Sequence, residues 1–497
     1  MTLHRLAALL CFALGLPLSQ LSPLHAQSET GTEPHARQML IAAYGGDRLA
    51  ELERIEIISQ RGVAWPGQGQ SAEFVEFADD RVIKQFDFRS RHGSVERWTL
   101  QNGNFYHGRE IIGDSGLTVI DYATGHFTTD PEQSFATAFA GDWRGLDLLI
   151  AKRVFDDPSV VTGIRSTVYA GHPTAVLTIL PEADAQVFEA YVSQRDGLIR
   201  RVSFESPFGM AHLLWRDHQV SDGFKHAATT HVVMDGETIE IEQIAALRVN
   251  SSIAEFLGME ASLEPRPEMV DTSEMTVEEL APDLFWVGQD DYSLFARHDG
   301  GWIAVSPYAG FNERFVALQE HTNSELPLSS IIATHHHRDH LRSIADAVAL
   351  GATVVTTKEA KTALSQDWYD GKEPEITVAA DGMQIGPYQL LIEPTAHSPA
   401  NIFVLHEASG VLFQEDHYHA FFPDNASRIQ PTAVELWRAL QRRDVTITAL
   451  VSGHARKAEP WAIFARAAAS ADKDDTCPSR REICSENWLS STGVMGQ

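Results

Sequence analysis

One seven-residue stretch constrains this chain more than any other: Thr334-His335-His336-His337-Arg338-Asp339-His340. It follows Ser329-Ser330-Ile331-Ile332-Ala333, an apolar, β-branched run that reads as a buried strand, and precedes residues 341–350, whose apolar spacing reads as a helix. In extended backbone the side chains alternate, so His335 and His337 point one way while His336 and Arg338 point the other. As the helix begins, Asp339 and His340 turn toward the same pocket. Imidazoles and a carboxylate suit zinc, and one such segment can feed two neighbouring ions. The alternative, a histidine-rich surface turn, fits poorly with a position straight after a buried strand.

A two-ion site needs ligands from other loops, and three candidates follow in order. His397 lies in Pro394-Thr395-Ala396-His397-Ser398-Pro399, behind the strand-like residues 388–392. Asp416 ends Gly410-Val411-Leu412-Phe413-Gln414-Glu415-Asp416, and His454 follows Ile447-Thr448-Ala449-Leu450-Val451-Ser452-Gly453. Alone, Asp416 reads equally as a turn aspartate and each histidine as an ordinary one. Together, each behind a strand, they predict convergence on one sheet edge. His336, His406, His417 and His419 read as surface groups or neighbours of the ligands, with His417 or His419 as alternative substrate contacts. Tyr418 reads as an oxyanion donor or as simple packing, and Trp368 and Tyr369 as an entrance to the pocket.

On these residues the segment 276–468 resembles the metallo-β-lactamase-fold hydrolases. The resemblance implies an αββα sandwich. It implies that His335, His337 and His397 hold a first zinc ion, that Asp339, His340 and His454 hold a second, and that Asp416 bridges them. Asp339 would also be catalytic, orienting the attacking water or carrying its proton. The cofactor expected is zinc, about two ions per chain, with iron or manganese able to occupy the same ligands. Two departures stand out: Ser306 stands where the family usually has an aspartate that supports the site, and Leu341-Arg342 where it often has a glycine pair. By the same resemblance, a bridging Asp416 implies cleavage of an ester, thioester or lactone of a small molecule. The alternatives are a periplasmic β-lactamase and a non-catalytic lipid carrier with a relic metal module.

The length of 497 residues predicts two or three domains. Residues 1–26 carry Arg5, an apolar run over 6–18 and the small-residue end Leu24-His25-Ala26, which reads as a signal peptide. The expected location is therefore periplasmic or secreted. A membrane anchor is disfavoured because the run is short and holds Pro17, so no stable membrane insertion is expected after cleavage. A net charge of −29 repels nucleic acid, which excludes the nuclease branch of such hydrolases and leaves small-molecule substrates. Cys477 and Cys484, in the polar tail 469–497, read as a disulfide loop rather than a zinc pair.

Residues 30–262 read as a separate module. Residues 33–44 read as a helix stopped by Gly45-Gly46, and 47–53 as a short helix capped by Asp47. Asn102-Gly103, Asp196-Gly197 and Asp235-Gly236 each separate two strand-like runs, which predicts repeated hairpins in an antiparallel, curved sheet. With the late segment Trp215 to Phe224, this pattern resembles periplasmic lipoprotein-carrier half-barrels, implying an acyl-binding concave face or a docking role. Residues 263–275, with Pro265 and Pro267, read as an extended, solvated linker. The fold class expected is α+β.

Overall fold

The computed structural model describes residues 33–474 apart from 66, 71, 73–74, 181–185, 207–208, 251–257, 260, 365–373 and 424–426. The predicted leader, Trp368, Tyr369 and both tail cysteines lie outside the described residues. Helix α1 (Glu33–Tyr44) opens the fold. A short 3-10 helix over Gly46–Glu51 follows instead of an Asp47-capped helix: Gly45 precedes it, and no side chain caps it.

The strands that follow are β1 (Arg54–Ala64), β2 (Phe77–Asp87), β3 (His92–Gln101), β4 (Asn104–Gly113), β5 (Gly116–Asp121) and β6 (His126–Asp130). Helices α2 (Phe135–Ala138), α3 (Ala140–Gly145) and α4 (Asp147–Asp156) intervene. Then come β7 (Val161–Tyr169), β8 (His172–Ile179), β9 (Phe188–Ser193), β10 (Ile199–Ser206), β11 (Gly209–Ser221), β12 (Phe224–Met234) and β13 (Glu237–Val249). With β14 (Glu264–Pro265) they form one 14-stranded sheet in the order β14-β6-β5-β4-β3-β2-β1-β13-β12-β11-β10-β9-β8-β7. Only the β14 to β6 pairing is parallel. The predicted hairpins form, and Asn102-Gly103 and Asp235-Gly236 take positive φ at both positions, as tight hairpin turns require.

One face of this sheet is filled. Leu40, Tyr44, Leu148, Leu149 and Val154 of α1 and α4 share a core with Ile55, Ile57, Val82, Phe86 and Val95. The same face also carries paired charges, with Lys84 set between Val82 and Phe86: Lys84 lies 3.2 Å from Asp142 and 3.4 Å from Glu242, and the Ser59 hydroxyl donates to Glu242 at 2.6 Å. Helices and paired charges therefore cover this face of the sheet.

Two further sheets build the C-terminal module. The first is β15 (Thr276–Ala281), β16 (Leu284–Gln289), β17 (Asp291–His298), β18 (Gly301–Val305), β19 (Leu328–Ala333), β20 (Thr353–Thr356) and β21 (Ile376–Val378). It carries α5 (Phe311–Thr322), α6 (Arg338–Leu341), α7 (Ile344–Ala349) and α8 (Lys358–Ala363). The second is β22 (Gln384–Ile385), β23 (Tyr388–Glu393), β24 (Asn401–His406), β25 (Val411–Phe413), β26 (Ala449–Val451) and β27 (Glu459–Pro460), with α9 (Pro431–Gln441) and α10 (Trp461–Asp474). Alternate residues of β16 show the layering. Leu284 and Trp286 meet Leu390, Val404 and Leu412 of the second sheet, while Phe285 and Val287 meet Phe311, Phe315 and Ile344 on the helical side. With α9 and α10 on the far side of the second sheet, the module is an αββα sandwich, and the chain is α+β.

Pro282-Asp283 turns the chain between β15 and β16, with Asp283 at φ 63°. Residues 341–350 hold the end of one short helix and a second one, with Arg342-Ser343 between them. The 263–275 segment is exposed or half-buried apart from Thr272 and is tied down at two points: Glu264–Pro265 joins the first sheet, and Thr272 donates to Asp290 at 2.8 Å. No helix among the described residues is long and apolar enough to cross a membrane.

Candidate metal centre

Parallel pairing sets where the site lies. β18, β19 and β20 run parallel in one sheet, and β25 and β26 in the other, so the loops after them leave the sandwich at shared edges. In open α/β sheets such carboxyl ends are where binding residues collect. His335 to His340 follow β19, Asp416 follows β25, His454 follows β26, and His397 lies between β23 and β24. All seven expected ligands come together, as His335, His337, His397 and Asp416 in one group and Asp339, His340 and His454 in the other.

Asp416 joins the two groups. Its Oδ2 lies 3.2 Å from His335 Nε2, 2.9 Å from His397 Nε2 and 2.7 Å from His340 Nε2. Its Oδ1 lies 3.3 Å from His454 Nε2. Ligand atoms around a tetrahedral zinc ion stand roughly 3.3 to 3.5 Å apart, so this spacing is close to that of a coordination shell.

The outer ring nitrogens decide which atoms face inward. His337 Nε2 lies 2.9 Å from the Gly69 carbonyl, which can only accept, so Nε2 carries the proton and Nδ1 the lone pair. That Nδ1 is buried and has no partner among the described residues. The Thr334 hydroxyl donates to Glu415 Oε1 at 3.2 Å and faces His335 Nδ1 at 3.1 Å, so it accepts from His335 and leaves Nε2 free. His454 Nδ1 donates to Asp291 Oδ1 at 2.9 Å. His340 Nδ1 lies 3.5 Å from Glu415 Oε2. An orphaned buried nitrogen, a joining carboxylate and rings tied from behind all fit a pair of divalent cations.

Electrostatics divides the two groups. Burial pushes His335 down to about 3 and holds His337 well below the usual histidine range, so both rings are neutral and offer lone pairs. Burial also presses on His340 and His454, but Asp339, Asp416 and Glu415 around the first, and Asp291, Asp339 and Asp416 around the second, raise both well above it. Burial opposes ionisation of Asp339 and Asp416 as well, yet facing His340 keeps both carboxyls well below the usual range. The cluster thus pairs ionised carboxylates with cationic rings, whose protons must leave when a metal binds.

Several supporting residues were not legible in the sequence. Glu415, 3 % exposed, collects the Tyr308 hydroxyl at 2.8 Å, the Thr334 hydroxyl and His340 Nδ1. Ser306 is buried at φ 72°, and its hydroxyl has no partner among the described residues. Gly453 is required by the same packing, since a Cβ there would lie 2.1 Å from Tyr308 and 2.4 Å from Glu415 Oε2. No spacing rule flags Glu415 or Asp291, because they act through rings brought in by other strands.

Of the four histidines read as surface groups or neighbours of the ligands, none is exposed. His336 and His417 are each 2 % exposed and His406 7 %; His336 bonds Gly69 O at 2.9 Å and His417 bonds Thr395 Oγ1 at 3.0 Å. His419 holds the Glu415 carbonyl at 3.1 Å. Tyr418 is turned away, accepting from Ser427 N at 3.2 Å and packing on Phe464, so it cannot serve an oxyanion at the cluster.

Asp291→Ala removes the only carboxylate on His454 Nδ1 among the described residues. Loss of such a partner typically weakens metal binding about 10- to 100-fold. The weaker of the two cobalt affinities is expected to fall in that range, measured by chelator competition; an unchanged affinity would show that His454 needs no such support.

No family model matches the chain, and no curated protein does. Among solved structures it is similar to a metallo-beta-lactamase from Pontibacter korlensis, at 17 % identity and TM-score 0.31, over 39 % of this chain and 99 % of that one. A metallo-beta-lactamase from Hirschia baltica gives 16 % identity and TM-score 0.31, over 39 % and 96 %. A flavo di-iron protein variant from Thermotoga maritima gives 15 % identity and TM-score 0.32, over 41 % and 62 %.

Proposed function

We propose that this chain is an exported metal-dependent hydrolase with a binuclear zinc centre, cleaving an ester, thioester or lactone bond of a small molecule. The observation that carries the reading is Asp416, whose two oxygens reach imidazoles from both ligand groups. His335, His337 and His397 would hold one ion, Asp339, His340 and His454 the other, with Asp416 shared. A pair of divalent cations supplies Lewis-acid activation of water and of a scissile carbonyl.

The chain's own residues set the direction of attack. The first group is buried, whereas the Asp339 and His454 side chains are 41 % and 27 % exposed, so substrate reaches the cluster on their side. Asp339 is held ionised by His340 and His454 against the effect of burial. A carboxylate held so far down orients water as a hydrogen-bond acceptor better than it stores a proton. Export rests on residues 1–26, and zinc on the nitrogen-rich ligand set.

The test is a substrate panel on zinc-loaded protein. Acyl lactones, thioesters and aryl esters are expected to turn over at least about 100-fold faster in kcat/KM than nitrocefin, a difference of roughly 2.7 kcal/mol in barrier. A nitrocefin rate equal to or above the ester rates would replace the reading with a β-lactamase.

A further inference from the structure

Both hairpin tips of the N-terminal sheet nearest the C-terminal module land on the metal loops. In the β1 to β2 connection, Gln68 Nε2 donates to Asp339 Oδ1 at 2.6 Å, and the Gly69 carbonyl accepts from both His336 Nε2 and His337 Nε2 at 2.9 Å. The Gly67 carbonyl accepts from Arg338 N at 2.9 Å, and Gln70 Nε2 donates to Thr395 O at 3.2 Å. At the β3 to β4 turn, Gly103 lies so close that a Cβ would stand 2.4 Å from Ala396 Cβ, beside His397. Asn104 Oδ1 accepts from the Thr432 hydroxyl at 2.7 Å.

These contacts reach ligand atoms as well as surface. In the neutral ring, the Gly69 carbonyl fixes which nitrogen of His337 bears the proton, and so which one is available to a cation. The Gln68 amide occupies one oxygen of Asp339 and leaves Oδ2 facing His340 at 3.6 Å and His454 at 3.7 Å. A carboxylate rotor pinned at one oxygen has less freedom to lose when the other coordinates.

We infer that the metal centre is completed across the two modules: Gln68 and Gly69 are positioning residues, Gln68 for the ion held by Asp339 and Gly69 for the ion held by His337. The inference rests on the reading that the cluster binds two cations. It gives the N-terminal sheet a defined role, to present a loop that orients ligands the C-terminal module supplies.

The experiment is a cobalt titration of the full chain, following the visible absorption of the bound ion and each stepwise affinity by chelator competition. Wild type is compared with Gln68→Ala and with Gly69→Ala, whose new Cβ would stand 2.9 Å from Glu76 Cβ and force a local shift at the loop. Circular dichroism and melting confirm that each variant is folded. Gln68→Ala is expected to weaken one ion about 10- to 100-fold and leave the other, while Gly69→Ala weakens the other ion and alters its spectrum. Folded variants that hold both ions within about twofold of wild type, with unchanged spectra, would overturn the inference. Wild-type protein that takes up no cobalt would overturn the metal reading itself, and the inference with it.

Discussion

Asp416→Ala is expected to bring bound zinc from about two ions per chain to below one and to lower kcat/KM on the order of 10³-fold, about 4 kcal/mol. The reason lies in its position. Its Oδ2 is within 3.2 Å of His335, His340 and His397, and its Oδ1 is within 3.3 Å of His454, so among the described residues it is the carboxylate that joins the two groups. Removing it leaves four imidazoles facing one another without the charge that drew them together. His340 and His454, raised partly by Asp416, then lose some of their cationic character while nothing replaces the anion. Asp416→Asn separates charge from shape, since it keeps the size and loses the anion; it is expected to behave like the alanine variant. Elemental analysis of dialysed protein beside the rate decides the matter. Full metal content with a full rate in either variant would be incompatible with a shared ligand.

The candidate ligands were legible because each is a residue type that binds metals at the end of an apolar strand, and strand order fixes where such residues emerge. His335 and His337 share a side of the chain for the simple reason of alternation, and the structure keeps them together. What sequence could not show was support through space. Asp291 opens β17 yet serves His454, 163 residues later, and Glu415 appears only as the neighbour of a better candidate. Gln68 and Gly69 lie in a loop of another module, where nothing in composition points to a metal. The fold was readable to a similar depth. Asn-Gly and Asp-Gly turns placed the hairpins, but what covers the first sheet depended on tertiary packing that local pattern does not carry. Lys84 falls in register with Val82 and Phe86 on the core face, and only tertiary packing supplies the Asp142 and Glu242 carboxylates that accompany its burial.

That covering layer bears the largest expected stability effect, at Asp147. The residue opens α4, is fully buried, and gathers partners from across the module. Its Oδ2 accepts from the Tyr44 hydroxyl at 2.7 Å and lies 2.9 Å from His218 Nε2; its Oδ1 accepts from Leu148 N at 2.9 Å and Ala227 N at 3.0 Å. Burial and the Asp147 charge hold the Tyr44 hydroxyl protonated far above its usual range, so Tyr44 stays a donor, and it accepts in turn from Ile199 N at 3.0 Å. One carboxylate thus ties α1, α4, β10, β11 and β12 together. In Asp147→Ala these donors stay buried without their acceptor, a loss of about 3 to 5 kcal/mol. For a module of this size that lowers the melting temperature by roughly 10 °C. Calorimetry of the full chain would detect it, and a shift under about 2 °C would refute the network's importance. Below its transition the variant should still bind metal, because the loop holding Gln68 and Gly69 hangs from β1 and β2 and touches none of these groups. Once the first sheet melts, the loop goes with it, and loss of one ion's affinity should coincide with the first calorimetric transition rather than with unfolding of the αββα sandwich.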